Sequence, residues 1–205
     1  MSLNDASLND LSLNEPAGEF VAAHRRTLLD VAAAAIDRGL SEQGALPVVA
    51  QDYPEILRQT RASFVTLRIG RKLRGCMGSL LATEPLVVNV ARNAHIAAFR
   101  DPRFTPLVRE EFPQLAIHLS LLSPPEPLAF ESEAHLLSLV RPGIDGLTLI
   151  EGSHRVTLLP AVWQTLSDPR DFLIQLKRKA GLAPDYWSAT IQMERYTAES
   201  VGAEG

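Results

Sequence analysis

Ser63-Phe64-Val65-Thr66-Leu67-Arg68-Ile69-Gly70-Arg71-Lys72-Leu73-Arg74-Gly75-Cys76-Met77-Gly78 is the stretch on which the reading of this chain turns. Residues 63–69 are rich in β-branched and aromatic side chains, which fit a pleated, half-buried surface. Gly70-Arg71-Lys72 follows as a glycine-led turn, and Leu73 to Ala82 can return as a second strand. The stretch therefore reads as an antiparallel hairpin.

Upstream, Phe20, Val21, Leu28, Val31, Ala35 and Ile36 recur at helical spacing, which predicts an amphipathic helix from Gly18 to Arg38 closed by Gly39. Downstream, Thr83 is read as the N-cap of a helix reaching Arg100, with Leu86, Val90, Ala94 and Ala97 on its apolar face. Leu115 to Leu122 alternates like a strand, and Ser123-Pro124-Pro125 breaks it. Residues 132–140 read as helix, and Leu147 and Leu149 with Val156 and Leu158 as a strand pair. A helix capped by Asp168, with Pro169 in its first turn, ends at Gly181, and residues 187–198 add a last strand. Hairpins and helices in irregular order predict an α+β fold, mainly an antiparallel sheet flanked by helices.

A chain of 205 residues with 46% hydrophobic and 21% charged residues suits one domain, placed over residues 17–198. Residues 1–16 carry the repeat Ser-Leu-Asn-Asp, Ser-Leu-Asn-Asp, Ser-Leu-Asn-Glu at five-residue spacing and are expected to be a disordered leader; 199–205 are expected to be a flexible tail. The net charge of −4 and a pI near 5.7 disfavour nucleic acid as a partner. No apolar run approaches the roughly 20 residues that span a bilayer, and the single cysteine supports neither a disulfide framework nor a Cys/His zinc module. A cytoplasmic location, no membrane and no metal are the expectations.

The chemistry is expected around Cys76, which sits in a strand between Gly75 and Gly78, residues that strands avoid unless the backbone is approached closely. In an extended strand Arg74 and Cys76 share a face with α-carbons roughly 6.5 Å apart. A guanidinium there favours the thiolate by at most about 2 kcal/mol, enough to make Cys76 a candidate nucleophile. The competing reading is a small core cysteine, with Arg74 answering a carboxylate. Asn93 falls inside the apolar face of its helix, either as a substrate-orienting group or as a tie to a neighbouring element. Asp101-Pro102-Arg103-Phe104 is a stiff loop in which Arg103 can present an anion-binding group or pair with Asp101. His118 is the one histidine entertained as a base for Cys76, and Lys177-Arg178-Lys179 is read as offsetting a helix dipole.

With these residues in hand, the chain resembles the AMMECR family, whose prokaryotic members are labelled AmmeMemoRadiSam system protein A. The resemblance covers about residues 18 to 190. It rests on Phe64-Val65-Thr66-Leu67, Leu73-Arg74-Gly75-Cys76-Met77-Gly78, Ala97-Ala98-Phe99-Arg100-Asp101-Pro102-Arg103-Phe104, Leu122-Ser123-Pro124-Pro125-Glu126-Pro127, Leu159-Pro160-Ala161-Val162-Trp163 and Leu176-Lys177-Arg178-Lys179-Ala180-Gly181-Leu182. Met77 stands where the family usually has Ile, and Ala161 where it often has Gln. The resemblance implies a smaller second lobe and a signature strand at a cleft between lobes. Joined to the residue reading above, this keeps Cys76, Arg74 and Asn93 as catalytic candidates and Gly75, Gly78, Asp101, Arg103 and Phe104 as binding candidates. It also implies Memo-like and radical-SAM proteins as partners, while naming neither a reaction nor a cofactor. An enzyme or enzyme component and a non-catalytic peptide- or protein-binding module are both open at this stage.

Overall fold

A computed structural model describes residues 17–42 and 44–202; the repeat leader lies outside the described residues. Two four-stranded antiparallel sheets form two lobes, with strand orders β2-β1-β3-β8 and β4-β7-β5-β6. The larger lobe contains α1 (Ala17–Glu42), α2 (Glu55–Arg58), β1 (Ser63–Ile69), β2 (Lys72–Gly78), α3 (Leu86–Phe99), β3 (Leu115–Leu122) and β8 (Ala198–Val201). The smaller contains β4 (Glu126–Leu128), α4 (Glu133–Leu139), β5 (Gly146–Glu151), β6 (His154–Leu158), α5 (Pro169–Lys179) and β7 (Gln192–Tyr196). The chain thus leaves the large sheet after β3, builds the small lobe, and returns as β8.

In each lobe the sheet has one apolar face covered by helices. Val65, Leu67, Leu119, Leu121 and Val201 alternate inward along their strands and pack with Leu28, Ala32 and Ile36 of α1 and Val90, Ala94 and Ala97 of α3. Leu147, Leu149 and Met193 pack with Leu136 of α4 and Phe172, Leu173 and Leu176 of α5, where Trp163 stacks on Phe172 at 4.0 Å. The opposite faces stay open, as antiparallel sheets permit. A third apolar cluster joins those open faces: Tyr196 of the small sheet meets Leu122 and Ala62, with Phe64, Leu159 and Ala198 around them.

The hairpin, β3, the β5-β6 pair and α5 form where the sequence places them, and Asp168 caps α5 through the Arg170 amide at 2.7 Å. Five boundaries differ, the first being the last strand expected over 187–198, which is confined to β7 at Gln192–Tyr196. Gly39 does not end α1; it lies inside the helix, where an added Cβ would come within 2.3 Å of the Phe99 ring, so it serves helix-to-helix approach. Thr83 does not cap α3, which starts after Pro85 with the Leu86 amide donating to the Gln59 carbonyl at 2.9 Å. β2 stops at Gly78, short of Ala82. Residues 199–201, expected in a tail, form β8 with Ala198 against β3, with Leu119 opposite Val201. Lys177 also does more than offset a dipole, since it is fully buried and donates to Glu133 at 2.8 Å, tying α5 to α4. No helix among the described residues is long and apolar enough to cross a membrane.

Candidate functional site

Both glycines of the signature strand answer close packing. A Cβ on Gly75 would stand 2.1 Å from the Ala97 carbonyl oxygen of α3, and one on Gly78 would stand 2.3 Å from the Phe64 ring that lies opposite it in the hairpin. Gly75 lets the helix backbone rest on the strand, and Gly78 lets an aromatic ring lie over it.

The expected sharing of a face by Arg74 and Cys76 is replaced by a bulge. Leu67 pairs with Gly75 but Arg68 pairs with Leu73, so Arg74 is the extra residue and is re-aimed. Its guanidinium forks onto Glu111, Nε to Oε1 at 2.7 Å and Nη2 to Oε2 at 2.8 Å, and Nη1 donates to the Thr105 carbonyl at 3.0 Å. This hydrogen-bonded pairing raises the Arg74 pKa and lowers that of Glu111. The geometry realises the alternative in which Arg74 answers a carboxylate.

Asp101 and Arg103 do reach Cys76: both bond its backbone, and the Arg103 guanidinium also interacts with its side chain. Asp101 Oδ2 accepts from the Cys76 amide at 2.9 Å, and Arg103 Nη2 donates to the Cys76 carbonyl at 3.2 Å while also bonding Asp101 Oδ2 at 2.7 Å. The two side chains stand where the next strand would, and they close the free edge of β2. Arg103 and the Cys76 amide hold the Asp101 carboxyl well below the usual carboxylate range. Phe104 carries the Arg103 guanidinium 5.6 Å above its ring.

The Cys76 thiol is half-buried on the open face of the large sheet, 3.3 Å from the Thr66 hydroxyl. Thr66 is paired with Cys76 on one side and His118 on the other, so His118 lies two strands from the cysteine, roughly 10 Å at ordinary strand spacing. That distance removes His118 as a direct base. Burial, with Arg68 nearby, lowers the His118 pKa. Asn93 is separate again: its amide donates to the Ser63 carbonyl at 3.0 Å and to Asn89 Oδ1 at 2.9 Å, while Asn89 Oδ1 accepts from the Ser63 amide and hydroxyl at 3.0 and 2.7 Å. This is the tie between α3 and the start of β1. Among the described residues no three His, Cys, Asp or Glu side chains gather as a metal-ligand set.

A concavity of about 560 Å³ lies where the two open sheet faces meet. From the large lobe come Thr60 to Ala62, Gly78 to Ala82 and Leu122 to Pro125; from the small lobe come Thr148, Arg155 to Thr157 and Tyr196. The signature strand enters through Gly78, and Cys76 does not line this cavity. Leu80 and Leu81 stand at its mouth, 43% and 55% exposed. On the small sheet Thr148 opposes Thr157 and Gly146 opposes Tyr196, so these side chains share the open face. The Tyr196 hydroxyl lies 2.7 Å from Thr157 Oγ1 and donates to the Leu158 carbonyl at 3.1 Å; burial pushes its pKa up to about 12. Arg61 is turned inward, donating to the Leu122 carbonyl at 3.1 Å and pairing with Glu199 at 3.5 Å.

Reading from sequence missed this wall. The signal was present: the strand pair that puts Leu147, Leu149, Val156 and Leu158 on one face puts Thr148, Arg155 and Thr157 on the other.

A two-lobed α+β chain whose signature strand runs from an α3 contact to an interlobe cavity defines a class, and the comparisons give it a family. The chain belongs to the AMMECR1 family, which it matches over residues 29–201. A protein of Methanothermobacter thermautotrophicus is 39% identical over 184 residues, covering 88% of this chain and 94% of its own length. One from Thermotoga maritima is 36% identical over 73% of this chain and 82% of its own. The crystal structure of an uncharacterized protein from Pyrococcus horikoshii superposes with a TM-score of 0.73 at 32% identity, covering 85% of this chain and 88% of that one.

Proposed function

We propose that this AMMECR1 chain acts as a binding component whose working site is the interlobe cavity, where it holds a small molecule with an apolar body. The observation that carries this reading is the cavity itself: about 560 Å³, placed at a lobe junction, with walls from both sheets. Ligand sites commonly have this size and position. In this reading Gly78 shapes the wall, while Gly75, Arg74, Asp101, Arg103, Phe104 and Asn93 hold the signature strand, its edge and α3 in place. The competing reading, Cys76 as nucleophile of an enzyme, has in its favour a half-buried thiol beside the Thr66 hydroxyl. Against it, His118 lies two strands away and Arg74 is already bonded to Glu111, which leaves Arg103 as the cation beside Cys76. A cytoplasmic setting is proposed from the single cysteine and the short apolar runs, and Memo-like or radical-SAM partners from the family resemblance alone.

Native mass spectrometry after incubation with a cell metabolite extract separates the two readings. Wild type and Cys76→Ala should retain the same adduct, and Ala82→Trp, which fills the cavity mouth from an exposed position, should lose it. An adduct lost with Cys76→Ala and kept by Ala82→Trp favours the thiol.

A further inference from the structure

Resting on that reading of the cavity, we infer that its ligand is an organic anion, an apolar body carrying a carboxylate that the Thr148 hydroxyl and the Arg155 guanidinium receive on the small sheet.

The first observation is Thr148. It is only 7% exposed and lines the cavity, yet among the described residues its hydroxyl has no hydrogen-bond partner. Its cross-strand neighbour shows the contrast: Thr157 Oγ1 donates to the Leu147 carbonyl at 2.8 Å and meets the Tyr196 hydroxyl at 2.7 Å. The residue is buried but its oxygen still reaches the cavity solvent, so the Thr148 hydroxyl is free to bond a ligand acceptor.

The second observation is the sign of the wall. The chain has 24 acidic against 20 basic residues, yet the charged side chains lining the cavity are Arg61 and Arg155, with no carboxylate among the lining residues. Each is paired with a carboxylate outside the lining, Arg61 with Glu199 and Arg155 with Glu194, and Glu194 is the cross-strand neighbour of Thr148 on the same face, so a ligand anion has to share Arg155 with Glu194.

The two arginines are not equivalent. The Arg61 side chain is 10% exposed and turned to Glu199 and the Leu122 carbonyl. The Arg155 side chain is 43% exposed and is held at Glu194 chiefly through Nη2, at 2.6 Å; Nη1 is 3.5 Å away and Nε makes no hydrogen bond among the described residues. A guanidinium fork in that state has N–H groups left for a second carboxylate. Arg155 precedes Thr157 by two residues on β6 and so projects from the same sheet face as Thr148. One carboxylate oxygen can accept from Thr148 Oγ1 and the other from Arg155. Leu80, Leu81 and Pro124 then meet the apolar body.

The test uses the full chain and three probes of one length: octanoate, octanamide and octan-1-ol. Each is titrated while amide and methyl NMR signals are followed. Octanoate should shift signals of Thr148, Leu81 and Ala62 and bind at least about ten-fold more tightly than the two neutral probes. Arg155→Met should erase that preference, and Thr148→Val, which keeps the side-chain shape, should weaken octanoate about three-fold. The comparison of acid with amide on wild type needs no variant, and Arg155→Gln provides a second one if Arg155→Met folds poorly. Equal binding of the three probes in the cavity overturns the anion assignment and leaves the cavity reading standing. Cavity signals that none of the probes moves overturn both.

Discussion

A single methyl group at position 75 would collide with the Ala97 carbonyl oxygen at 2.1 Å, and neither partner is a flexible side-chain end. Gly75→Ala therefore has to push β2 from α3, and overpacking of this kind costs about 3 kcal/mol. Cys76→Ala removes only a half-buried thiol and its 3.3 Å contact with Thr66, a loss of about 1 kcal/mol or less. Urea denaturation of the two variants should show this order, and the reverse order would mean that the cysteine organises the strand. At this scale the sequence was legible as an anomaly: two glycines around a cysteine in a strand asked for a reason. The reason lay in residues distant along the chain, Ala97 and Phe64, and so was not legible locally. The same holds for Arg74, since strict alternation puts it beside Cys76 and only the pairing register reveals the bulge.

Among the elements, α3 depends on a polar tie within its apolar face. Asn93 is 3% exposed and Asn89 fully buried, and Ser63 lies between them and β1. Removing the Asn93 amide leaves the Ser63 carbonyl with one donor fewer, and such losses cost about 1–3 kcal/mol. Asn93→Ala should lower the urea midpoint accordingly and leave binding in the cavity unchanged. A binding loss without a stability loss would return Asn93 to the site. Helical spacing placed Asn93 on the buried face correctly. The same spacing, one turn earlier, marks Asn89, which the reading passed over. The early start assigned to α3 at Thr83 reflects a different limit: the Leu86 amide is satisfied by the Gln59 carbonyl, a backbone partner that no cap residue advertises.

Across the whole molecule, Tyr196 joins the lobes through its buried ring, packed with Ala62 and Leu122, while its hydroxyl bonds Thr157 and Leu158 inside the small sheet and so holds that ring in place. Burial raises its pKa from 10.0 to about 12, so the neutral phenol contributes stability that is fully present below pH 10. That contribution is lost as pH rises from about 10 through about 12. Wild-type stability should fall over this window more steeply than that of Tyr196→Phe, as followed by fluorescence during urea unfolding. Parallel slopes would place the phenol outside the joint. The α+β class was legible from hairpin and helix order, and the second lobe from the family resemblance. The pairing of β8 with β3 was not, because Ala198 to Val201 is too short and too polar to announce a strand without its partner.

That the cavity between the sheets is the working site, with the cysteine outside it, is decided most directly by mapping where small molecules bind. A library of neutral and charged fragments is screened against the full chain by methyl and amide NMR. Shifts should concentrate at Ala62, Leu81, Thr148, Val156 and Tyr196, residues of the cavity wall. Shifts that concentrate at Cys76, Thr66 and His118 instead would contradict the account.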